Sequence, residues 1–132
     1  MLAIMSGSNH NQPKPKILLV DDEYQVLFTL KAILEKNGYE VRGCVHAHES
    51  ISAVEEESFD LAILDYLLPD LRGDEIAIRL KEACPALPII FISAFHVPEA
   101  SKKLAEVSLS KPELPSVLLE AIRIALKCCI LL

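Results

Sequence analysis

The sequence has no apolar run of the roughly 20 residues that a membrane-spanning helix needs. Residues 1–5 are apolar, but they lack the basic flank and the length of a signal-peptide core. We therefore expect neither a membrane protein nor a secreted one.

Positive charge is also scarce, with 13 lysines and arginines against 19 aspartates and glutamates and a net charge of −6. Proteins bind duplex nucleic acid largely through Lys and Arg at the phosphates, so we expect no nucleic-acid surface. The four cysteines show no metal-ligand spacing, and Cys128 and Cys129 are adjacent, which suits no bridge between them. This cysteine usage favours a reduced, cytoplasmic protein.

No internal repeat, low-complexity tract or domain linker interrupts the chain. Its 132 residues, 52% of them apolar, are enough for one hydrophobic core. The polar stretch 6–16 contains Pro13 and Pro15, which predicts a disordered leader over residues 1–15. We expect a single folded domain over residues 16–128 and an apolar C-terminal tail over residues 129–132.

Short runs rich in β-formers alternate with longer segments that carry apolar residues at helical spacing. Strands are predicted at 16–20, 39–44, 60–64, 88–92 and 106–109. Helices are predicted at 24–37, 47–57, 73–84, 98–105 and 115–127. This alternation predicts a doubly wound α/β fold, in which a five-stranded parallel sheet has helices on both faces.

Polar residues stand just after four of the apolar runs. Asp21 and Asp22 come after the first predicted strand, Asp65 after the third and Ser93 after the fourth. Lys111 follows the fifth. Because the carboxyl ends of parallel strands meet at one edge of the sheet, we expect these five side chains to lie together. One such Asp is usually a helix cap or turn residue, but capping does not explain five polar residues at successive strand ends.

The grouping predicts a cation site beside an anion site. Carboxylate oxygens are hard ligands that favour Mg²⁺, with Mn²⁺ as the alternative ion. Asp65 is placed to be both a metal ligand and a nucleophile that forms an aspartyl phosphate. Lys111 would pair with one phosphoryl oxygen and Ser93 would hydrogen-bond another, so that they share the charge of the transferring group.

Four motifs together resemble the response-regulator receiver domain of two-component signalling, in the CheY-like superfamily. They are Val20-Asp21-Asp22-Glu23, residues 64–73 around Asp65, Ile92-Ser93-Ala94 and Ser110-Lys111-Pro112. The resemblance covers residues 16–127 and implies a flavodoxin-like sheet with strand order 2-1-3-4-5.

The resemblance also implies roles for particular residues. Asp65 would be the phosphoacceptor, and Asp22, Asp65 and the backbone carbonyl of Leu67 would bind Mg²⁺, with Asp21 acting through water. Ser93 would be the switch hydroxyl and Lys111 the phosphate-sensing base, while the small Ala94 would leave access to the phosphoryl group.

The implied partners are a histidine kinase or phosphotransfer protein and a downstream protein target, with no membrane contact. The domain would catalyse only its own phosphoryl transfer and dephosphorylation.

The chain departs from the family pattern in three places. Ser108 stands where the family usually has an aromatic switch residue, three positions before the lysine. The segment between Ser93 and Lys111 is shorter than usual, so we expect a short or distorted fourth helix. In many relatives this region forms the dimer interface, so we do not carry over the family's usual dimer. A homodimer of another kind is possible. Leu67 and Phe95 occupy positions that tune dephosphorylation, and neither can orient a water molecule, so we expect slow hydrolysis of phospho-Asp65.

Three alternatives remain at this point. The chain could be a degenerate receiver that acts as a phosphorylation-independent interaction module, as Ser108 would allow. A hydrolase with an aspartyl-phosphate intermediate would need an Asp-x-Asp motif, but Leu67 stands two positions after Asp65, and Asp21 and Asp22 are adjacent. A flavin binder would need a neutral phosphate loop after the first strand, where this chain has Asp21-Asp22-Glu23.

Overall fold

The structure is a computed structural model that describes residues 13–111 and 115–131, with backbone only for residues 128–131. Most of the predicted leader, Pro112 of the lysine motif and Leu132 lie outside the described residues. The strands are β1 Lys16–Val20, β2 Glu40–Cys44, β3 Leu61–Asp65, β4 Ile89–Ser93 and β5 Val107–Ser110. The helices are α1 Tyr24–Lys36, α2 Ala47–Glu56, α3 Gly73–Ala83, α4 Glu99–Lys102 and α5 Ser116–Leu131.

The five strands form one parallel sheet in the order β2-β1-β3-β4-β5. Alternate residues of each strand face opposite sides, so the sheet has two apolar faces. One face, with Leu18, Leu64 and Phe91, packs against α2 and α3. The other, with Leu19 and Ile63, packs against α1 and α5. The predicted doubly wound fold and strand order are therefore confirmed.

Several element bounds differ from those predicted. β3 and β4 each begin and end one residue later, so Asp65 and Ser93 are the last residues of their strands instead of the first after them. The reason is that pairing continues to the end, since Tyr66 N–H donates to the Ile92 carbonyl oxygen at 2.9 Å. A polar side chain alone does not end a strand when its backbone still has a partner.

The fourth helix is a single turn of four residues, as the short spacing between Ser93 and Lys111 predicts. The last helix runs to Leu131 instead of ending at Lys127. Just after the end of α1, Gly38 has φ +95°, a left-handed conformation that glycine adopts readily and that commonly ends a helix. Among the described residues, no helix is long and apolar enough to cross a bilayer.

Candidate functional site

The carboxyl edge of the sheet brings the five predicted site residues to one place in the fold. Asp21 directly follows β1, Asp65 ends β3, Ser93 ends β4 and Lys111 follows β5. Asp21, Asp65 and Ser93 are 0%, 4% and 2% exposed, so three polar residues are buried at the end of an apolar sheet. Burying polar groups in this way costs free energy unless they have partners. Such a cluster of buried polar groups is typical of a functional site.

The three aspartates form one cluster. Asp21, Asp22 and Asp65 each offer a carboxylate oxygen, and these oxygens lie within 4.8 Å of one another. Asp22 is only half-buried, so the cluster has an open side towards solvent.

Lys111 provides the positive charge of the site. Its Nζ lies 2.8 Å from Glu23 Oε1, 3.2 Å from Asp65 Oδ2 and 3.1 Å from Asp21 Oδ2. The contacts with Glu23 and Asp65 are hydrogen bonds. The contact with Asp21 is an ion pair only, because Asp21 Oδ2 accepts no hydrogen bond from any described residue.

The environment shifts the pKa values of these groups. Burial raises the pKa of Asp65 to about 6, and the charge of Asp21 adds to the rise, although Lys111 works against it. Burial also raises the pKa of Asp21. Burial alone would lower the pKa of Lys111, but the carboxylates of Glu23, Asp21 and Asp65 together raise it. Lys111 is therefore a firmly charged ammonium group held among carboxylates.

The donor set fits a hard divalent cation. The aspartate oxygens are the ligand type that Mg²⁺ prefers, and Asp21 Oδ2 is a buried acceptor without a hydrogen bond among the described residues. A cation at the open side would also offset the mutual repulsion of Asp21 and Asp65, which Lys111 alone balances only in part.

The remaining predicted residues lie on the loops that follow β3 and β4. Ser93 Oγ accepts a hydrogen bond from the Phe95 N–H at 3.0 Å, and Ala94 between them is exposed. The Leu67 N–H donates to Asp65 Oδ1 at 3.3 Å. The side chains of Leu67 and Phe95 are 43% and 69% exposed, so both present apolar surface at this edge.

Sequence reasoning assigned no role to Glu23, which is a direct partner of Lys111. Glu23 belongs to the same acidic run as Asp21 and Asp22, and the strand-end rule that selects its neighbours could have included it. A second omission is a hydrogen-bonded group of the buried Tyr66 and Ser101 with the half-buried Asp74. No local pattern reveals this group, because its members come from three different elements.

Comparison with known proteins decides the family. The family described as the response regulator receiver domain matches residues 17–123, which is most of the chain. The chain belongs to this family. The acidic cluster and Lys111 thus lie at the carboxyl edge of a receiver domain.

Two solved receiver structures resemble the fold closely. A CheY-like receiver domain protein from Methanospirillum hungatei JF-1 superposes with a TM-score of 0.83 and 31% identity, over 89% of this chain and 97% of that one. The response regulator TrrA from Thermotoga maritima, crystallised in complex with Mg(2+)-BeF, superposes with a TM-score of 0.79 and 26% identity, over 84% of this chain and 98% of that one.

A curated relative is the alkaline phosphatase synthesis transcriptional regulatory protein PhoP from Bacillus subtilis strain 168. It is 37% identical over 79 residues, which are 60% of this chain and 33% of PhoP. The aligned part therefore spans about a third of that protein.

Ser108 occupies the receiver's usual aromatic position on β5. It is paired in register with Phe91 of β4. Its Oγ is buried and has no hydrogen-bond partner among the described residues. The position that carries a movable ring in many receivers here holds a small, unpaired hydroxyl.

Proposed function

We propose that this receiver domain accepts a phosphoryl group on Asp65 from the phosphohistidine of a histidine kinase or phosphotransfer protein. The observation that carries the proposal is the placement of the buried Asp65 carboxylate within the aspartate cluster and 3.2 Å from Lys111 Nζ. Phosphoryl transfer is catalysed mainly by positioning and charge stabilisation, which such an arrangement supplies.

In the transfer, an Asp65 carboxylate oxygen forms a bond to phosphorus while the bond from phosphorus to the donor imidazole nitrogen breaks. The electron pair of that bond stays on the imidazole nitrogen, which takes up a proton. Lys111 exchanges its contact with Asp65 for one with a phosphoryl oxygen, and Ser93 donates a hydrogen bond to another. Asp65 must be ionised to attack, so its raised pKa disfavours the reaction in acid.

Mg²⁺, or Mn²⁺ in its place, would be held by Asp22, Asp65 and the Leu67 carbonyl, with Asp21 contributing through water. Such an ion offsets negative charge on the phosphoryl oxygens. The complex of the relative TrrA with Mg(2+)-BeF supports this choice of ion.

Dephosphorylation of Asp65 would be slow. The side chains that flank the site on the two loops, Leu67 and Phe95, are apolar and exposed. Neither can hydrogen-bond an attacking water molecule. Hydrolysis of the acyl phosphate would therefore lack the catalysis that a polar side chain at either position would supply.

The output would be a contact with a downstream protein. The relative PhoP is a transcriptional regulatory protein, but only about a third of it is matched. The described cysteines, Cys44 and Cys84, are free, which supports a reduced compartment such as the cytoplasm for the reaction.

The test is incubation with acetyl phosphate, with and without Mg²⁺, followed by intact-mass measurement. We expect the wild type to gain the mass of one phosphoryl group only when Mg²⁺ is present, and Asp65→Asn to gain none. Asp60→Asn is the matched control, because Asp60 lies beyond the opposite end of the sheet and donates nothing to the cluster.

The second candidate function is a binding module that does not use phosphorylation, and Ser108 is the observation that favours it. A wild-type protein that stays unlabelled at saturating acetyl phosphate and Mg²⁺ would support this alternative and contradict the proposal. Equal labelling of wild type and Asp65→Asn would place the phosphoryl group elsewhere.

A further inference from the structure

Ser108 leaves this receiver without a ring on β5 to report on Asp65. A signal from Asp65 must therefore reach the rest of the domain through other groups. The residue that follows Asp65 is Tyr66, a buried aromatic residue. Its ring packs edge-on against Phe91 with 5.4 Å between the ring centroids, and Phe91 is the residue paired with Ser108.

The backbone of Tyr66 is held on both sides. Its N–H donates to the Ile92 carbonyl at 2.9 Å, and its carbonyl accepts the Gly73 N–H at 2.6 Å. A Cβ added to Gly73 would lie only 2.8 Å from Tyr66 Cα and Cδ1, so α3 packs directly onto this residue. Because the loop around Tyr66 has little free space, a shift at Asp65 or Leu67 must move the Tyr66 side chain with it.

The Tyr66 hydroxyl joins two other elements. It lies 2.8 Å from Ser101 Oγ of α4 and 3.4 Å from Asp74 Oδ2 of α3. Ser101 Oγ also lies 3.1 Å from the same carboxylate oxygen, where it donates. With Ser101 donating to Asp74, the Tyr66 hydroxyl gives its single proton to Ser101 across the shortest of the three contacts, and its longer approach to Asp74 carries no proton.

Ser101 is the single buried residue of the one-turn helix α4. Four residues are too few to hold a helical turn by their own backbone bonds, so α4 depends on tertiary contacts. The buried contact from Tyr66 to Ser101 is thus the polar attachment of α4 to the loop that follows β3, beside the apolar packing of Val97 and Leu104. It coexists with the ion pair between Lys111 and the free Asp65 carboxylate.

We propose that Tyr66 is a positioning residue that couples Asp65 to α4 through its hydroxyl, and so takes over the task of the absent β5 ring. The hydroxyl holds α4 in place while Asp65 pairs with Lys111. Phosphorylation shifts the loop, weakens the Tyr66–Ser101 contact and releases α4 to a second arrangement. This inference rests on the proposed function, since it concerns how the phosphorylated site is read.

Coupling of this kind is reciprocal, which gives a sharp test. If the Tyr66 hydroxyl stabilises the unphosphorylated arrangement, its removal makes the phosphorylated one easier to reach. We expect Tyr66→Phe to bind beryllofluoride in the presence of Mg²⁺ about fivefold more tightly than the wild type, by titration calorimetry. Ser101→Ala should shift the dissociation constant in the same direction.

The double variant shows whether Tyr66 and Ser101 act on beryllofluoride affinity through their shared contact or independently of each other. Because both changes cut the same contact, Tyr66→Phe with Ser101→Ala should shift the dissociation constant no further than either change alone. Tyr39→Phe, at a half-buried tyrosine between α1 and β2, is the control and should bind like the wild type.

A purely structural role for Tyr66 would lower the melting temperature and leave beryllofluoride affinity unchanged. Unchanged or weaker affinity in Tyr66→Phe, or additive shifts in the double variant, would overturn the inference. A wild type that binds no beryllofluoride and takes no label from acetyl phosphate would instead overturn the proposed function, and this inference with it.

Discussion

The Asp65 carboxylate is held under opposing influences. Burial and the neighbouring Asp21 disfavour its charge, and Lys111 favours it, with a net rise in pKa to about 6. The charge of this carboxylate is costly in the folded protein. A bound cation would therefore stabilise it, and so would conversion to an acyl phosphate whose oxygens accept hydrogen bonds from the surrounding donors. The reactivity that we propose for Asp65 and the cost of its charge thus have one origin, which is its burial beside Asp21.

The cost should appear in the pH dependence of stability. The folded-state pKa of about 6 exceeds the ordinary value of 3.8, so the folded protein binds this proton more tightly than the unfolded chain. The free energy of unfolding therefore falls as pH rises from about 4 to 6 and stays lower above. In EDTA at pH 7, we expect Asp65→Asn to be more stable than the wild type, by about 3 kcal/mol.

Urea unfolding of both proteins at pH 7 and pH 4.5 measures this difference, which should shrink at the lower pH. Asp60→Asn controls for the general effect of replacing a carboxylate by an amide. A wild type as stable as Asp65→Asn at pH 7, or a difference that does not change with pH, would show that burial of Asp65 carries no such cost.

The residues of the site were largely predictable, because strand ends in a parallel sheet lie on one edge. That rule places Asp21, Asp65, Ser93 and Lys111 without any structure. The rule gives no distances, so it could not predict that Lys111 Nζ donates a hydrogen bond to Glu23 Oε1 at 2.8 Å. The side chain of Glu23 reaches across from the start of α1 to the end of β5, which only the assembled sheet reveals.

The loop between β3 and α3 is the most constrained connection at the site. Gly73 opens α3 and donates its N–H to Tyr66, and Leu67 forms an antiparallel bridge with Arg72. This loop carries the Leu67 carbonyl, which we assign to the metal. Its geometry depends on the missing side chain at Gly73, since the close approach to Tyr66 leaves no room for a Cβ.

Gly73→Ala should therefore destabilise the fold. The added Cβ would meet the Tyr66 backbone at 2.8 Å, and backbone cannot rotate away as a side chain can. We expect a loss of about 2 kcal/mol or more in the free energy of unfolding, measured by urea denaturation.

Gly43→Ala on β2 is the matched control. Its added Cβ would lie 3.2 Å from the Leu27 Cδ1 atom, a flexible side-chain end, and alanine suits a strand better than glycine. We expect a change of less than about 1 kcal/mol there. Similar losses in both variants would mean that close packing on Tyr66 is not what Gly73 provides.

Elements were predicted well where periodicity is strong and less well at their ends. The inward residues of α3, Ile76, Ala77 and Leu80, follow from helical spacing and are all fully buried. The short α4 follows from the spacing between Ser93 and Lys111. Its attachment through Ser101 does not, because a serine in a polar segment carries no signal of a partner 35 residues away.

At the scale of the whole domain, the sheet brings residues that are far apart in the sequence together in one site. Asp21 follows the interior strand β1 and Lys111 follows the edge strand β5, with β3 and β4 between them, yet their charged atoms lie 3.1 Å apart. Two apolar faces hold the strands in register, so the position of every charged group depends on the fold being complete. The unfolded chain cannot assemble the aspartate cluster, and a cation that needs this cluster should bind the folded protein alone.

Mg²⁺ should therefore stabilise the entire domain by mass action. Above the dissociation constant, each tenfold increase in free Mg²⁺ adds about 1.4 kcal/mol to the free energy of unfolding, so the melting temperature should rise steadily. The rise also includes relief of the repulsion between Asp21 and Asp65. Thermal unfolding from micromolar to tens of millimolar MgCl₂ at pH 7, with ionic strength held constant by NaCl, measures it.

Asp22→Asn tests whether the cluster is the binding site, because it removes a half-buried ligand while Asp21 and Asp65 keep their contacts with Lys111. We expect its melting temperature to respond weakly to Mg²⁺, whereas Asp60→Asn should respond like the wild type. If all three proteins gain the same stability from Mg²⁺, the ion acts elsewhere on this acidic surface, and the assignment of the metal to the aspartate cluster is wrong. If only Asp22→Asn loses the gain, the buried charges at the sheet edge are what make the folded domain dependent on a cation.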